Sequence, residues 1–306
     1  MLAVKNLQKA FGPLLAVRGV SFNAEQGEVV GFLGPNGAGK TTTMRMITGF
    51  LPPTAGTAMI AGHDISEDGR EAKKNIGYLP ENAPVYGDMT VTNYLAFIAE
   101  IRGFTGSTRN KKVDETIEKC RLTKVRHQAI GTLSKGFRQR VCFAQALLHD
   151  PPVLIMDEPT DGLDPNQKHL VRTMIREMSA RKTIVVSTHI LEEVEAVCTR
   201  AIIICNGAII ANGTPAELKA RSRLHGSVEV TSKTLNDGML SKLKSLPNAA
   251  EALVEENKVT LVPRDSEKLF QEIFSLVKSS PDWPVTGLRT IEGKLDDVFR
   301  ELTGGR

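Results

Sequence analysis

The stretch "GPNGAGKTTT", residues 34–43, constrains this chain more than any other. It directly follows the apolar run "EVVGFLG" (28–34) and precedes a helical pattern. It satisfies G-x-x-x-x-G-K-[ST] at every fixed position. Gly34, Gly37 and Gly39 allow backbone conformations closed to other residues, so successive N–H groups can turn inward on a polyanion. Pro35, Asn36 and Ala38 complete the loop. The helix starting near Lys40 adds the positive end of its dipole. In such a cradle Lys40 reaches the β- and γ-phosphates of a nucleotide, Thr41 offers its hydroxyl to Mg²⁺, and Thr42 extends the phosphate contact.

The rest of the first two-thirds fits an α/β fold. "VLIMDE" (153–158), "TIVVSTH" (183–189) and "RAIIIC" (200–205) are near-continuous apolar runs. Strands of that kind are buried on both faces of a mostly parallel sheet flanked by helices. Asn206-Gly207 is a hairpin signal, so an antiparallel edge is expected there. Asp157 and Glu158 end one of these strands. With a phosphate loop present, Asp157 is the expected metal carboxylate and Glu158 a general base for an attacking water. His189 ends the next strand, at the edge where open α/β sheets bind ligands. A neutral imidazole there can hydrogen-bond the γ-phosphate or the water.

Several classes are excluded. No apolar run approaches the roughly 18 residues that span a bilayer, and no basic-then-apolar leader opens the chain. The expected location is therefore cytoplasmic, with any membrane role exercised through a partner. The net charge of +4 is spread along the chain rather than concentrated, which argues against nucleic acid as a partner. Cys120, Cys142, Cys198 and Cys205 match no zinc or redox spacing and read as small buried hydrophobes.

Residues 109–126 read as an amphipathic helix with a solvated charged face. After residue 222 the pattern changes. "SVEVT", a helix near "LNDGMLSKLKSL", "EALVEE", "KVTLV", a helix over 265–278, "VTGLRTI" and the tail helix "LDDVFREL" give the order βαββαβ plus a helix. That order suits a small ferredoxin-like α+β domain over 226–306, following a first domain over 1–222.

The series phosphate loop, "LSKGFRQR" (133–140), "LIMDEP" (154–159), "DGLD" (161–164) and "STH" (187–189) resembles the ABC-type ATPases. The resemblance covers essentially all of residues 1–222. It implies a P-loop NTPase fold of the ABC kind with a helical subdomain at about 82–150, ATP and Mg²⁺ as cofactors, and ATP hydrolysis by Lys40, Glu158 and His189. Phe11 matches the aromatic that stacks on adenine. "DGLD" matches a loop that crosses a dimer interface. In this family the signature segment binds ATP held by another subunit. Ser134 and the N–H groups after it do form an anion site at a helix start. Because the chain already has one phosphate cradle, Ser134 and Gly136 are expected to act in trans, two chains closing head to tail around two ATPs.

Two departures from the family pattern stand out. The usual LSGGQ is Leu133-Ser134-Lys135-Gly136-Phe137, and the usual glutamine after "GYLP" is Glu81. An acid at 81 can still reach Mg²⁺ or its water. Both departures, and the tail "LDDVFRELTG", resemble ATPases of ABC-2-type exporters, particularly the gliding-motility-type group. The resemblance thus implies a homodimer or paired ATPase driving a separate membrane permease from the inner face of the membrane. The contact is expected between Glu81 and about Arg126, where "PVYGDMTVTNYLAFIAEIRGF" is unusually apolar and aromatic. The alternative is a soluble ABC ATPase acting on ribosomes or nucleic acid; translation-type members usually carry two ATPase units in one chain and DNA-repair members insert long coiled coils, and this sequence shows neither feature. A regulatory subunit without turnover is disfavoured by the intact Glu158 and His189. For the C-terminal domain a protein–protein or regulatory role is expected.

Overall fold

A computed structural model describes residues 1–82 and 84–304. Ala83, within the expected subdomain and docking segment, and residues 305–306, at the end of the expected second domain, lie outside the described residues. The chain forms two compact units, Met1–Asn212 and Gly213–Arg306. The division falls before the 222–226 boundary expected from sequence, because the short helix 215–219 packs with the second unit's last helix.

The first unit holds two sheets. Strands β1 (Leu2–Phe11), β2 (Leu14–Ala24), β4 (Ala55–Ile60) and β5 (His63–Asp64) make an antiparallel sheet in the order β2-β1-β4-β5. The second sheet contains β3 (Val29–Leu33), β6 (Ile76–Leu79), β7 (Val153–Asp157), β8 (Thr183–Thr188), β9 (Arg200–Cys205) and β10 (Ala208–Gly213), in the order β10-β9-β3-β8-β7-β6. From β9 to β6 the pairing is parallel. The Asn206-Gly207 turn, with φ of 49° and 78°, folds β10 back beside β9 as the antiparallel edge.

Period-two alternation explains why these strands read as continuous apolar runs. Val153, Ile155, Val30, Phe32, Val185 and Ile202 pack on one face, against the antiparallel sheet and helix α1 (Lys40–Ile47). Leu154, Met156, Val29, Ile184 and Val186 pack on the other, with the helices. Those helices are α3 (Val91–Ile101), α4 (Gly106–Lys119), α5 (Lys135–Leu147), α6 (Pro165–Ser179) and α7 (Leu191–Val197), whereas α2 (Gly69–Lys74) buries Ala72 on the first face, with the antiparallel sheet. Thr90, Ser134 and Asp164 cap α3, α5 and α6 through their side-chain oxygens. The helix expected over 109–126 stops at Lys119. Arg121 takes a φ of 53°, and a 3₁₀ turn at Thr123–Val125 then buries Leu122 and Val125. No helix among the described residues is long and apolar enough to cross a membrane.

The second unit comprises α8 (Pro215–Lys219), β11 (Val228–Ser232), α9 (Asp237–Lys244), β12 (Ala249–Glu255), β13 (Lys258–Pro263), α10 (Ser266–Lys278), β14 (Val285–Thr290) and α11 (Leu295–Thr303). Its sheet runs β12-β13-β11-β14 with every pairing antiparallel, the ferredoxin-like topology. Val228, Val230, Val259 and Leu261 meet Met239, Leu243, Leu269 and Ile273 in its own core.

Candidate active site

The strand order sets the site. β3, β8, β7 and β6 are consecutive neighbours, and each adjacent pair among them is parallel. Their C-terminal ends therefore deliver the loop at Gly34, His189, the Asp157-Glu158 pair and Glu81 to one edge. There Glu81, Glu158 and His189 line a cleft of about 560 Å³, together with Ala16, Asn36, Gly37, Gly39, Lys40, Thr41, Thr42 and Asp161.

The phosphate loop needs its glycines for two different reasons. Gly39 has φ 101°, and a Cβ there would lie 2.7 Å from the Ala16 carbonyl. A Cβ on Gly34 would lie 2.4 Å from the Ile204 carbonyl, a backbone atom that cannot yield. The loop is thus wedged between β2 and β9. It is also tied by the Gly207 N–H, which donates to the Ala38 carbonyl at 3.0 Å.

Lys40 is buried. Its ammonium donates to the Gly34 carbonyl at 2.8 Å and the Pro35 carbonyl at 3.3 Å, and lies 3.6 Å from Glu158 Oε1. Glu158 Oε2 is 3.0 Å from His189 Nδ1. With Nδ1 carrying the proton, the imidazole donates to the carboxylate and leaves Nε2 free. One buried carboxylate thus joins the loop lysine to the histidine. Glu158 holds this pose at a φ of 49°, a left-handed conformation uncommon for a residue with a Cβ, and its N–H donates to the Ser187 carbonyl at 3.0 Å.

Asp157, next in the chain, is completely buried. Ser187 Oγ donates to its Oδ1. Its Oδ2 is buried with no hydrogen-bond partner. An unpaired buried carboxylate oxygen is costly unless a cation or its water completes it. The free Oδ2 and the Thr41 hydroxyl are oxygen donors of the kind Mg²⁺ accepts. No cluster of three His, Cys, Asp or Glu side chains stands ready for a metal among the described residues. Nearby, burial and then the Asp157 charge push the Tyr78 phenol up to about 12, so it stays neutral beside the carboxylate.

Other sequence-predicted residues fall elsewhere. Phe11 sits exposed at the β1–β2 turn with Lys9 Nζ 5.4 Å over its ring, and it does not line the cleft. Ser134 caps α5, accepting from the Phe137 N–H at 3.4 Å, and neither it nor Gly136 lines the phosphate cleft. Gly136 is buried against Gln167, whose side chain would be 2.7 Å from a Cβ. Lys135 instead lines a second cavity of about 380 Å³ with Glu81, Arg138 and Gln139. Three residues escape the sequence reading as site residues. Ser187 and Asp161 lie inside quoted motifs without an assigned contact. Ala16 carries no sequence signal, because only the packing of β2 brings it to the loop.

A wedged phosphate loop, a lysine–glutamate–histidine chain and an open carboxylate on adjacent strand ends define a nucleotide-hydrolysing α/β protein. Residues 17–161 match the family model described as ABC transporter. The chain is 33% identical to the linearmycin resistance ATP-binding protein LnrL of Bacillus subtilis over 307 residues, 99% of this chain and 98% of that protein. It is 39% identical to the Nod factor export ATP-binding protein I of Burkholderia lata over 306 residues, 98% and 96% of the two. Among solved structures, an ATP-binding subunit of an ABC transporter matches with a TM-score of 0.66 and 30% identity, covering 72% of this chain and 92% of that one. A dimeric ATP-binding cassette, MJ0796, bound to ADP and Pi matches with a TM-score of 0.64 and 25% identity, covering 70% and 98%. The chain belongs to the ABC transporter ATP-binding family and is an ABC-type ATPase.

Proposed function

We propose that this chain is the ATP-hydrolysing subunit of an exporter. Two copies close around two ATPs and drive a separate membrane permease of the ABC-2 type from the cytoplasmic face. The observation that carries the reading is the buried Glu158, placed between Lys40 and His189 and next to the unpartnered Oδ2 of Asp157.

The chemistry follows from these atoms. Loop N–H groups and the start of α1 bind the phosphates. Lys40 exchanges its carbonyl partners for β- and γ-phosphate oxygens. Glu158 then loses its cation, and its carboxylate is free to accept a proton from the attacking water. His189, held by Glu158 through Nδ1, presents Nε2 toward the phosphate side. Asp157, Thr41 and Glu81 would hold Mg²⁺, which when bound neutralises charge on the phosphates. Ser134 is exposed and away from its own chain's cleft, and it is proposed to meet a partner's γ-phosphate once closure rearranges Gln167 to uncover Gly136 beside it; the dimeric state of the MJ0796 cassette supports that arrangement. Phe11, exposed at the β1–β2 turn, is proposed to stack on adenine through a ring face.

The exporter assignment is supported by the names of the relatives, which concern resistance and export. The permease contact is proposed at the α3 surface. There Tyr86 and Ile101 are 59% and 65% exposed, and Tyr86 packs edge-on against Tyr94 and Phe97 at 6.2 and 5.8 Å. These side chains leave apolar surface beside α3 that a permease could cover.

The test is Glu158→Gln, with solution mass measured by light scattering with and without ATP. A nucleotide-dependent shift from monomer to dimer, abolished by adding Ser134→Arg, is the expected result. A monomer with ATP demonstrably bound would overturn closure by the ATPase pair alone.

A further inference from the structure

Between the site and the next helix lies an ion pair that the hydrolytic chemistry does not use. Arg172 on α6 forks onto Glu193 on α7, with Nε 2.9 Å from Oε2 and Nη2 2.7 Å from Oε1. The glutamate side chain is only 4% exposed. One turn further along α6, Arg176 donates from Nε to the Ala196 carbonyl at 3.1 Å and from Nη2 to the same oxygen. Two arginines at an i, i+4 spacing thus grip α7 near its start and near its end.

The position of these contacts gives them meaning. α7 is only seven residues long, and its N-cap, Ile190, provides no side-chain cap. Helices this short are marginal without tertiary support. His189 lies immediately before this helix, and the Thr188 hydroxyl accepts from the Ile190 N–H at 3.0 Å in the connecting turn. α6 in turn begins directly after the Asp161–Asp164 loop, and Asp161 lines the cleft. The Arg172–Glu193 fork therefore joins the helix leaving one wall of the cleft to the helix leaving the histidine. A bidentate fork fixes orientation as well as distance, which a lysine point charge would not.

We propose that Arg172 and Glu193, assisted by Arg176, are positioning residues for hydrolysis: the fork holds α7 against α6 and so aims the His189 imidazole at Glu158. Arg172 binds both oxygens of this deeply buried glutamate, so removing either partner strands the other. The bond from His189 Nδ1 to Glu158 is 3.0 Å, and a shift of about 1 Å would break it. The role extends to any motion in which the Asp161 loop and His189 respond to nucleotide together, since α6 and α7 move as one body while the fork holds.

This inference rests on the hydrolytic reading of the site, and the experiment separates the two. Full-length wild type, Arg172→Lys, Glu193→Gln and the double Arg172→Gln/Glu193→Gln are compared. Steady-state ATPase, ATP affinity by fluorescent-nucleotide titration and histidine ¹⁵N spectra are recorded for each. The double variant, neutral at both positions, leaves no unpaired buried charge and keeps a testable protein if a single variant does not fold. The expected result is a drop in kcat of roughly tenfold or more for Glu193→Gln, consistent with loss of an aligned catalytic group. ATP affinity should stay within about threefold, since no phosphate contact is touched. The His189 signals should change from one tautomer to a mixture. Arg172→Lys should recover only part of the rate. Unchanged kcat and an unchanged His189 tautomer in folded variants would overturn the proposal. So would parallel losses of affinity and rate with a lowered Tm, which mark a purely structural pair. No ATPase activity in wild type would refute the hydrolytic reading itself.

Discussion

Glu158 illustrates how much a single position must satisfy. It accepts the strain of a positive φ, faces Lys40 at 3.6 Å and His189 at 3.0 Å, and is buried. A glutamine in its place would keep the shape while losing the basicity, so Glu158→Gln should lower turnover by roughly 10²–10⁴ while ATP still binds. Stopped-flow phosphate release together with nucleotide titration measures both. Retained turnover would assign the base elsewhere. A second residue-scale prediction concerns His149. Burial first, and then the Arg102 cation, hold its imidazole down to about 4, against an ordinary value near 6.5. The Ile76 carbonyl at 2.9 Å opposes this without reversing it. Because the folded-state value is depressed, the unfolded chain binds the extra proton. Stability is full above about pH 6.5 and declines as pH falls toward 4, by on the order of 2 kcal/mol after allowing for partial exposure. His149→Gln should flatten that part of the Tm–pH curve. An unchanged slope would mean that other groups set the acid limit.

At the scale of elements, the phosphate loop is legible in sequence because its glycines have no alternative. What the sequence does not reveal is which neighbour each glycine avoids. The Ile204 carbonyl is far from Gly34 along the chain and meets it only because β9 lies beside β3. Gly34→Ala should therefore destabilise by about 1–3 kcal/mol through overpacking against backbone. The resulting loop shift should weaken ATP binding roughly tenfold or more, equivalent to about 1.4 kcal/mol of lost preorganised contact. Differential scanning calorimetry and nucleotide titration report the two effects separately. An alanine variant with native Tm and native affinity would mean that β9 yields easily. The parallel strands are similarly readable, since burial on both faces leaves a continuous apolar run. The antiparallel sheet β2-β1-β4-β5 is not. β1 alternates only loosely, with polar Lys5, Gln8 and Lys9 among its buried Leu2, Val4 and Leu7, and β5 has two residues. Periodicity of that kind is too weak to specify pairing.

At the scale of the whole molecule, the sequence pattern separates two units but sets the join too late. Composition changes near residue 222, whereas the packing changes near 213. The discrepancy is α8. Thr214 and Glu217 close a reciprocal capping box around its first turn, and Leu218 is fully buried although the helix has only five residues. Gly293 approaches it so closely that a Cβ would lie 2.6 Å from the Lys219 carbonyl. A polar-looking "TPAELKARSR" (214–223) is thus anchored by one leucine and a partner near the far end of the chain, a contact no local pattern announces. The two boundaries make different predictions. A chain ending at Gly213 keeps β10 whole and every strand end that builds the cleft, so it should bind ATP with close to full-length affinity. A chain ending at residue 222 keeps α8 without α11 and exposes Leu218, at a cost of about 1.5–3 kcal/mol for losing a buried leucine's environment. It should bind more of a hydrophobic dye such as anilinonaphthalene sulfonate and be cut by protease within 214–222. If instead the longer chain resists protease and the shorter one loses ATP binding, α8 belongs functionally to the ATPase unit, and the boundary read from sequence is the better one.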